Sequence, residues 1–315
     1  AAVKEIEERV NHKNLNVSTI HDFLWDNIKH FQKELKESLI ALFNDEDVKQ
    51  LKIDDLTSVP SDYYENREEP VSIQYKEYLK LRDGIISHDE LLILSEYMFR
   101  KYWKLCDIVK DKYKFIFIDE YQDTHEEVVK ILFEYLPRTT KKCIIGFFGD
   151  AMQAIYDTGI GDIDAYKGDG KGQVKEVKKV QNRRNPRAVI TLANRLRTDG
   201  IIQESSRDIT APNMVEGTLK DGSVLFLYSD NDDISNVEHF LSENYGWDFS
   251  CANKTKELNL THNLIADKAG FRTLMDVYDK DKHIGVIKSI LKSVAHDILE
   301  IENNNHKSLV PNIDV

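Results

Sequence analysis

Three carboxylates crowd the end of one short apolar run. Phe115, Ile116, Phe117 and Ile118 are followed at once by Asp119 and Glu120, and Asp123 comes next but two. Four apolar residues in a row read as a strand buried on both faces, of the kind a parallel sheet contains. In open α/β sheets ligands bind beyond the carboxyl ends of the strands, so acids placed there face a crevice. A carboxylate in such a place can hold Mg²⁺, which wants hard oxygen ligands and keeps several of its waters. A neighbouring carboxylate can orient and deprotonate an attacking water. The plainer alternative is a strand followed by a solvated acidic helix start, because Asp and Glu suit the first turn of a helix. A second apolar run, Cys143 to Phe148, ends in Gly149-Asp150, with Gln153 just beyond. A glutamine past a strand end can bond both a terminal phosphate oxygen and an attacking water.

These residues carry a resemblance. Asp119-Glu120-Tyr121-Gln122-Asp123-Thr124 resembles motif II (Walker B) of the UvrD, Rep and PcrA type of superfamily-one DNA helicase. Phe148-Gly149-Asp150-Ala151-Met152-Gln153-Ala154-Ile155-Tyr156 resembles motif III of the same family. Val180-Gln181-Asn182-Arg183-Arg184-Asn185 resembles motif IV, normally Gln-Asn-Tyr-Arg-Ser. Thr19-Ile20-His21-Asp22-Phe23 is similar to the Thr-x-His-x-Phe element that touches the backbone of single-stranded DNA.

The resemblance implies an α/β fold: a RecA-like parallel sheet of the P-loop NTPase class with a helical insertion, then part of a second RecA-like domain. It implies ATP and Mg²⁺ as cofactors and single-stranded and duplex DNA as partners. Asp119 would hold Mg²⁺, Glu120 would act as general base, and Gln153 would sense the γ-phosphate. Arg184 falls on the arginine that reaches the γ-phosphate from the second domain, a task suited to a permanently charged, bidentate group. Arg183 stands where the family usually has a Tyr on the adenine. Thr19, His21 and Tyr156 would contact DNA, the last by stacking on a base, a contact worth about 1–3 kcal/mol. Plainer alternatives stand beside these roles. Thr19 can cap a helix with His21 satisfied nearby, Tyr156 can be a half-buried core ring, and Arg184 can belong to a solvated basic helix start.

The chain also departs from the pattern. After Ile-Tyr the family usually has Gly-aromatic-Arg-Gly, whereas Asp157-Thr158-Gly159-Ile160-Gly161 stands here. The second stacking ring and its arginine are missing, which puts base-by-base stepping in question. No Gly-x-x-x-x-Gly-Lys-Ser/Thr occurs in the 315 residues, and Ala1 to Val10 resembles the tail of motif Ia. By the resemblance the chain is an internal fragment of an ATP-dependent helicase or translocase, inactive by itself.

The elements that must position these groups follow from periodicity. The resemblance divides the chain into a first RecA-like domain (1–24 and 85–172), a helical insertion (25–84), part of a second RecA-like domain (173–275) and the start of a further helical insertion (276–315). Leu35, Leu39 and Leu42 continue a stripe that begins at Trp25, so residues 25 to 84 read as helical, with 45 to 70 loop-like. Ser87 and Glu90 form a capping-box pattern ahead of a helix. Val128, Val129, Ile131, Leu132, Phe133 and Leu136 pack a helix that Pro137 ends. Ser223 to Tyr228 and Glu257 to Thr261 read as strands of the second sheet, with a helix over Val237 to Leu241. Ile287 to Ile298 has helical spacing.

Composition sets outer bounds. The 315 residues are 41% hydrophobic and 31% charged, which describes a folded, water-facing protein. No apolar run approaches the ~20 residues a membrane span needs, so no membrane partner is expected. Cys106, Cys143 and Cys251 show no metal-ligand spacing and suit a reducing cytoplasm. A net charge of −12 argues against a general polyanion binder but permits DNA contact through a local basic track. Lys175 to Arg197 supplies one. Two rival readings remain: a helicase-like nucleotide-sensing or scaffolding subunit, for example of an anti-phage complex with a nuclease, and a metal-dependent phosphoesterase using Asp119, Glu120 and Asp150.

Overall fold

Two of the helices in this chain begin at side-chain caps. The computed structural model describes residues 6, 8–10, 12–53, 56–66, 71–155, 159–170, 173–228, 234–251, 253–258, 265–266 and 269–280. The Thr19 hydroxyl accepts the backbone N–H of Asp22 at 3.1 Å and opens α1 (Ile20–Ile28). The next helix, α2 (Gln32–Phe43), turns Leu35 and Leu39 fully inward. Helix stops at Phe43, and among the described residues 45–70 is loop as expected; the departure is at 71–84, which holds a short strand and the 3₁₀ turn Leu81–Asp83 in place of helix. Beyond Phe43 the polar chain finds other partners for its backbone. Asn44 exchanges two 2.8 Å bonds with the backbone of Val59, and Gln32 does the same with Ile73 at 2.8 and 3.1 Å. Side-chain amides thus do the work that helix bonds would do, as expected where Asp, Asn and Ser compete for the backbone.

A short parallel pair, β1 (Gln74–Tyr75) with β2 (Ile85–Ile86), leads into α3 (His88–Lys101). The expected capping box is present: Glu90 accepts the Ser87 backbone N–H at 3.1 Å. Leu91, Leu94 and Met98 lie on the buried face of α3, each 0% exposed, against α1 and α2. Full burial of one such side chain stabilises the fold by about 1.5–3 kcal/mol. The insertion and the acid-bearing elements therefore share one core.

After α4 (Lys104–Lys112) comes β3 (Phe115–Ile118), which runs parallel to β4 (Ile144–Phe147), pairing Phe115 with Ile144 and Ile118 with Phe147. The crossover is α5 (Glu126–Lys130), which widens into a π turn over Ile131–Tyr135 before a tight turn at Leu136–Arg138 holding Pro137. Expectation and structure differ at β3. Ile116 and Ile118 are buried, but Phe115 and Phe117 are 60% and 65% exposed. The helices cover only one face of the pair, and an unbroken apolar run cannot show this, because it hides the strand's period of two. Gly146 lets the faces close up: a Cβ there would lie 2.9 Å from the Phe117 ring. The parallel β–α–β unit is α/β in character; among the described residues it is a two-stranded sheet.

The chain divides at Glu176 and Val177 into two units. The second unit contains β5 (Gln181–Asn182), α6 (Arg187–Leu196), β6 (Glu204–Ser205), the hairpin β7 (Met214–Val215) with β8 (Thr218–Leu219), α7 (Ile234–Tyr245) and α8 (Arg272–Lys280). β5 and β6 are parallel. The helix expected over Val237 to Leu241 lies within α7. The strand expected over Ser223 to Tyr228 does not form: the segment pairs with no strand among the described residues, with Phe226 89% and Tyr228 87% exposed. Glu257 and Leu258 are likewise outside any strand. The rest of that expected strand, Asn259 to Thr261, and the helical spacing from Ile287 to Ile298 lie outside the described residues, as do Ala1 to Glu5.

Candidate functional site

The acids at the end of β3 stand on a tight left-handed turn. Glu120 has φ 49° and ψ 47°, in the region that L-residues other than Gly seldom occupy. Holding a β-carbon there costs about 1–3 kcal/mol, and such strain gathers where side chains must be aimed. The turn points the exposed Asp119 and Glu120 carboxylates outward, while Asp119 Oδ1 accepts the Glu120 backbone N–H at 3.1 Å.

The residues after Glu120 tighten into a single 3₁₀ turn, Tyr121–Asp123. Gln122 is the hub. It is 2% exposed, its Nε2 donates to Glu120 Oε2 at 2.8 Å, and its Oε1 accepts the Asp150 N–H at 3.1 Å. Asp150 opens the 3₁₀ turn Ala151–Gln153 by accepting the Met152 N–H on Oδ1 at 3.1 Å. Its other oxygen accepts Gln153 Nε2 at 2.9 Å. Asp119, Glu120, Asp150 and Gln153 are therefore brought to one end of the β3–β4 pair. Strand pairing continues into this region, since Phe148 N–H bonds Ile118 C=O at 2.8 Å and Tyr121 N–H bonds Phe148 C=O at 3.1 Å.

The donor set fits Mg²⁺ in a particular way. Asp119 offers an exposed hard carboxylate with one oxygen free of hydrogen bonds, enough for an ion that also takes phosphate oxygens and water. A dedicated all-protein cage is a different matter. Among the described residues no three His, Cys, Asp or Glu side chains gather around a common point, and Asp150 is engaged by Met152 and Gln153. The carboxylate cluster of a phosphoesterase does not assemble there.

The segment that departs from the family pattern folds back on this turn. Gly161 N–H bonds Gln122 C=O at 3.0 Å, Ile160 N–H bonds Thr124 C=O at 2.9 Å, and Gly159 pairs with His125. A Cβ at Gly159 would lie 2.5 Å from the Gln122 carbonyl oxygen, so this close approach requires glycine. Tyr156, with Asp157 and Thr158, lies outside the described residues.

Thr19 and His21 sit at the start of α1. The Thr19 hydroxyl is the helix cap and also donates to Asp22 Oδ2 at 2.8 Å, so the capping role is real whatever else the residue does. His21 packs edge-on to His88 at 4.9 Å between ring centres and stacks with Tyr75 at 6.5 Å. Tyr75 shares a hydrogen bond with His88 Nδ1 and leans on Trp25. Burial, then the neighbouring His88 and His125, hold the His21 pKa below its ordinary value. Tyr75 and His88 were not legible as partners of His21, because two residues so far from it in sequence share no spacing signal with it.

Arg184 belongs to the second unit. It is exposed at the turn between β5 and α6, where its backbone N–H bonds Asn182 Oδ1 at 3.1 Å. Its guanidinium makes no ion pair among the described residues, whereas Arg183 pairs with Asp208. The pairing gives Arg183 a structural task in place of the ring usually found there.

Comparison with known proteins agrees with this arrangement. Residues 26–171 match the UvrD/REP helicase N-terminal domain. This match, with the relatives below, supports a UvrD-like helicase fragment. It is similar to Gabija protein GajB of Bacillus cereus (strain HuB5-5), 36% identical over 205 residues, 64% of this chain and 28% of that protein. It is also similar to the probable DNA helicase II homologs of Rickettsia conorii and Rickettsia felis. Each is 26% identical over 235 aligned positions, 61% of this chain and 35% of the homolog. The UvrD-like chain thus spans roughly a third or less of the length of the relatives it matches. Among its described residues no helix is long and apolar enough to cross a membrane.

Proposed function

We propose that this chain is part of an ATP-dependent DNA helicase or translocase that moves along single-stranded DNA. The observation that carries the reading is the strained Glu120 at the mouth of β3, tied by Gln122 to the Asp150–Gln153 turn. Asp119 would hold Mg²⁺ bound to ATP, which supplies charge neutralisation at the transferred phosphoryl group. Glu120 accepts a proton from water, with Oε2 already occupied by Gln122 and Oε1 left for the reaction. Gln153 would sense the γ-phosphate, and Arg184 would stabilise its charge. Thr19 and His21, with Tyr156, contact the DNA strand.

The test is ATP hydrolysis by the full-length protein that carries this chain, with and without single-stranded DNA, beside strand separation on a tailed duplex. Glu120→Gln should remove hydrolysis by about 10²-fold or more while leaving ATP binding in place. Wild-type protein with no hydrolysis under any condition would rule the motor out.

A second reading is a helicase-like, nucleotide-sensing or scaffolding subunit, for example of an anti-phage complex with a nuclease partner. Two observations favour it. The segment Gly159–Gly161 is engaged with Gln122 and Thr124, and does not stand out as a platform for a base. The identity to Gabija protein GajB, 36%, exceeds the 26% to DNA helicase II homologs. Hydrolysis that single-stranded DNA does not stimulate, with no strand separation, would select this reading over the first.

A further inference from the structure

A side-chain amide shut away from water loses free energy unless its donor and acceptor are both matched. Gln122 is such a group, and it is matched across two separate loops. Its Nε2 holds Glu120 Oε2 at 2.8 Å, and its Oε1 holds the Asp150 N–H at 3.1 Å. From Asp150 the bonding continues to Gln153 Nε2 at 2.9 Å. One unbroken path of hydrogen bonds therefore joins the Glu120 carboxylate to the Gln153 side chain.

The chain makes room for this amide. A Cβ at Gly149 would stand 2.3 Å from Gln122 Oε1, and one at Gly159 would stand 2.5 Å from the Gln122 carbonyl oxygen. Both glycines lie on the segment that follows β4. The side chain and the backbone of Gln122 are each approached to a distance that any larger residue would forbid.

We propose that Gln122 is a positioning residue that sets the Glu120 carboxylate according to the place of the Asp150–Gln153 turn. The inference rests on the roles given above to Glu120 and Gln153. Gln122 acts through Glu120 and touches no reacting atom itself. Glu120 is held in a left-handed turn, and donation to Oε2 fixes its carboxylate. A shift of Gln153 moves Asp150, and the Asp150 N–H draws Gln122 Oε1 with it. The amide is rigid, so Nε2 follows and the base turns. Occupancy at the Gln153 end is thereby read at the base, through a path with no step longer than 3.1 Å.

Two variants and two readouts test it. Gln122→Leu fills the space and removes both bonds. Gln122→Glu keeps the shape but sets a second carboxylate against Glu120. In the full-length protein, Gln122→Leu should lower kcat by about tenfold to a hundredfold, the scale of a misplaced catalytic group. KM for ATP should stay within about threefold, because no substrate contact is lost. Gln122→Glu should lower kcat as well, since its carboxylate still accepts the Asp150 N–H but cannot donate to Glu120 Oε2. The second readout does not depend on turnover. Amide hydrogen exchange at Asp150 should quicken about tenfold or more in Gln122→Leu, because its acceptor is gone. Unaltered exchange at Asp150 in Gln122→Leu, or a kcat equal to wild type in both variants, would overturn the proposal. If Gln122→Leu fails to fold, the kcat of Gln122→Glu decides. If wild-type protein hydrolyses no ATP, the motor reading fails while exchange at Asp150 still decides the link between the two loops.

Discussion

Thr19 Oγ1 both accepts the Asp22 backbone N–H, at 3.1 Å, and donates to the Asp22 carboxylate, at 2.8 Å. One hydroxyl thus closes the first turn of α1 and fixes the acid beside His21. Removing it separates two roles that the sequence leaves superimposed. Thr19→Ala should cost about 1 kcal/mol of stability, the usual value of an N-cap. Thr19→Ser should restore the stability. Chemical denaturation measures that part. A DNA role shows separately: if the hydroxyl also meets phosphate, Thr19→Ser should keep strand affinity while Thr19→Ala weakens it beyond what the lost cap explains.

His21 gives a dependence on pH with a definite sign. Burial lowers its pKa first, and His88 and His125 add to this, while Asp22 and Asp89 oppose it; the Tyr75 ring covers one side. A folded value below the unfolded one means that the unfolded chain takes up protons first as pH falls. The stability His21 contributes is complete above an unfolded pKa of about 6.5 and is lost as pH falls from there toward the lowered folded value. A phosphate beside the ring would reverse the preference by favouring the imidazolium. Affinity for single-stranded DNA should therefore rise as pH falls from about 7.5 to about 6, and the slope should flatten in His21→Gln. Fluorescence anisotropy at fixed ionic strength measures it, and an equal slope in both proteins would remove His21 from the DNA surface.

Glu120 sits where a side chain is unwelcome, and its removal should show the cost. Glu120→Gly relieves about 1–2 kcal/mol of left-handed strain, against about 0.5–1 kcal/mol of added chain entropy in the unfolded state. The buried Gln122 Nε2 meanwhile loses its Glu120 acceptor, which costs about 1–3 kcal/mol. Thermal unfolding should therefore find the variant no more stable than wild type. ATP hydrolysis by the full-length protein should disappear. A clear gain of stability would mean that the Gln122–Glu120 bond contributes little.

Much of this site was readable from residue order, and the limits of that reading have physical causes. Asp119, Glu120 and Gln153 are adjacent to strand ends in sequence, and strand ends bring them together in space. The capping box at Ser87 is a local signal and formed as expected. The left-handed turn at Glu120 is not encoded by a Gly or Asn, so nothing in its identity announces it. Gln122 looked like one more polar residue in an acidic stretch, because no spacing rule says that an amide turns inward. Phe115 and Phe117 looked buried because four apolar residues in a row conceal which face is covered. Ser223 to Tyr228 had strand composition but, among the described residues, no neighbour with which to pair, and pairing is a long-range property.

The segment after β4 is held by a stack of rings, which yields a final test. Phe133, on the π turn after α5, lies parallel to Phe147 of β4 at 4.9 Å and parallel to Tyr166 at 4.2 Å. Among the described residues it is the sole ring shared by those two, so it fastens the 164–166 turn to the sheet. An aromatic pair adds about 0.5–1.5 kcal/mol beyond the area it buries, and truncating the ring leaves a cavity as well. Phe133→Ala should cost about 3–5 kcal/mol if the site cannot close up. Phe133→Leu keeps much of the volume and should cost less. The informative outcome concerns place. Hydrogen exchange should quicken over 159–170 in Phe133→Leu, including Ile160 and Gly161, whose N–H groups bond Thr124 and Gln122. Loosening there should reach Gln122 and slow ATP hydrolysis in the full-length protein, even though Phe133 touches neither Asp119 nor Glu120. Quickened exchange with an unchanged rate would show that the 159–161 backbone contacts do not steady the acidic turn, and that its own bonds to Asp150 suffice.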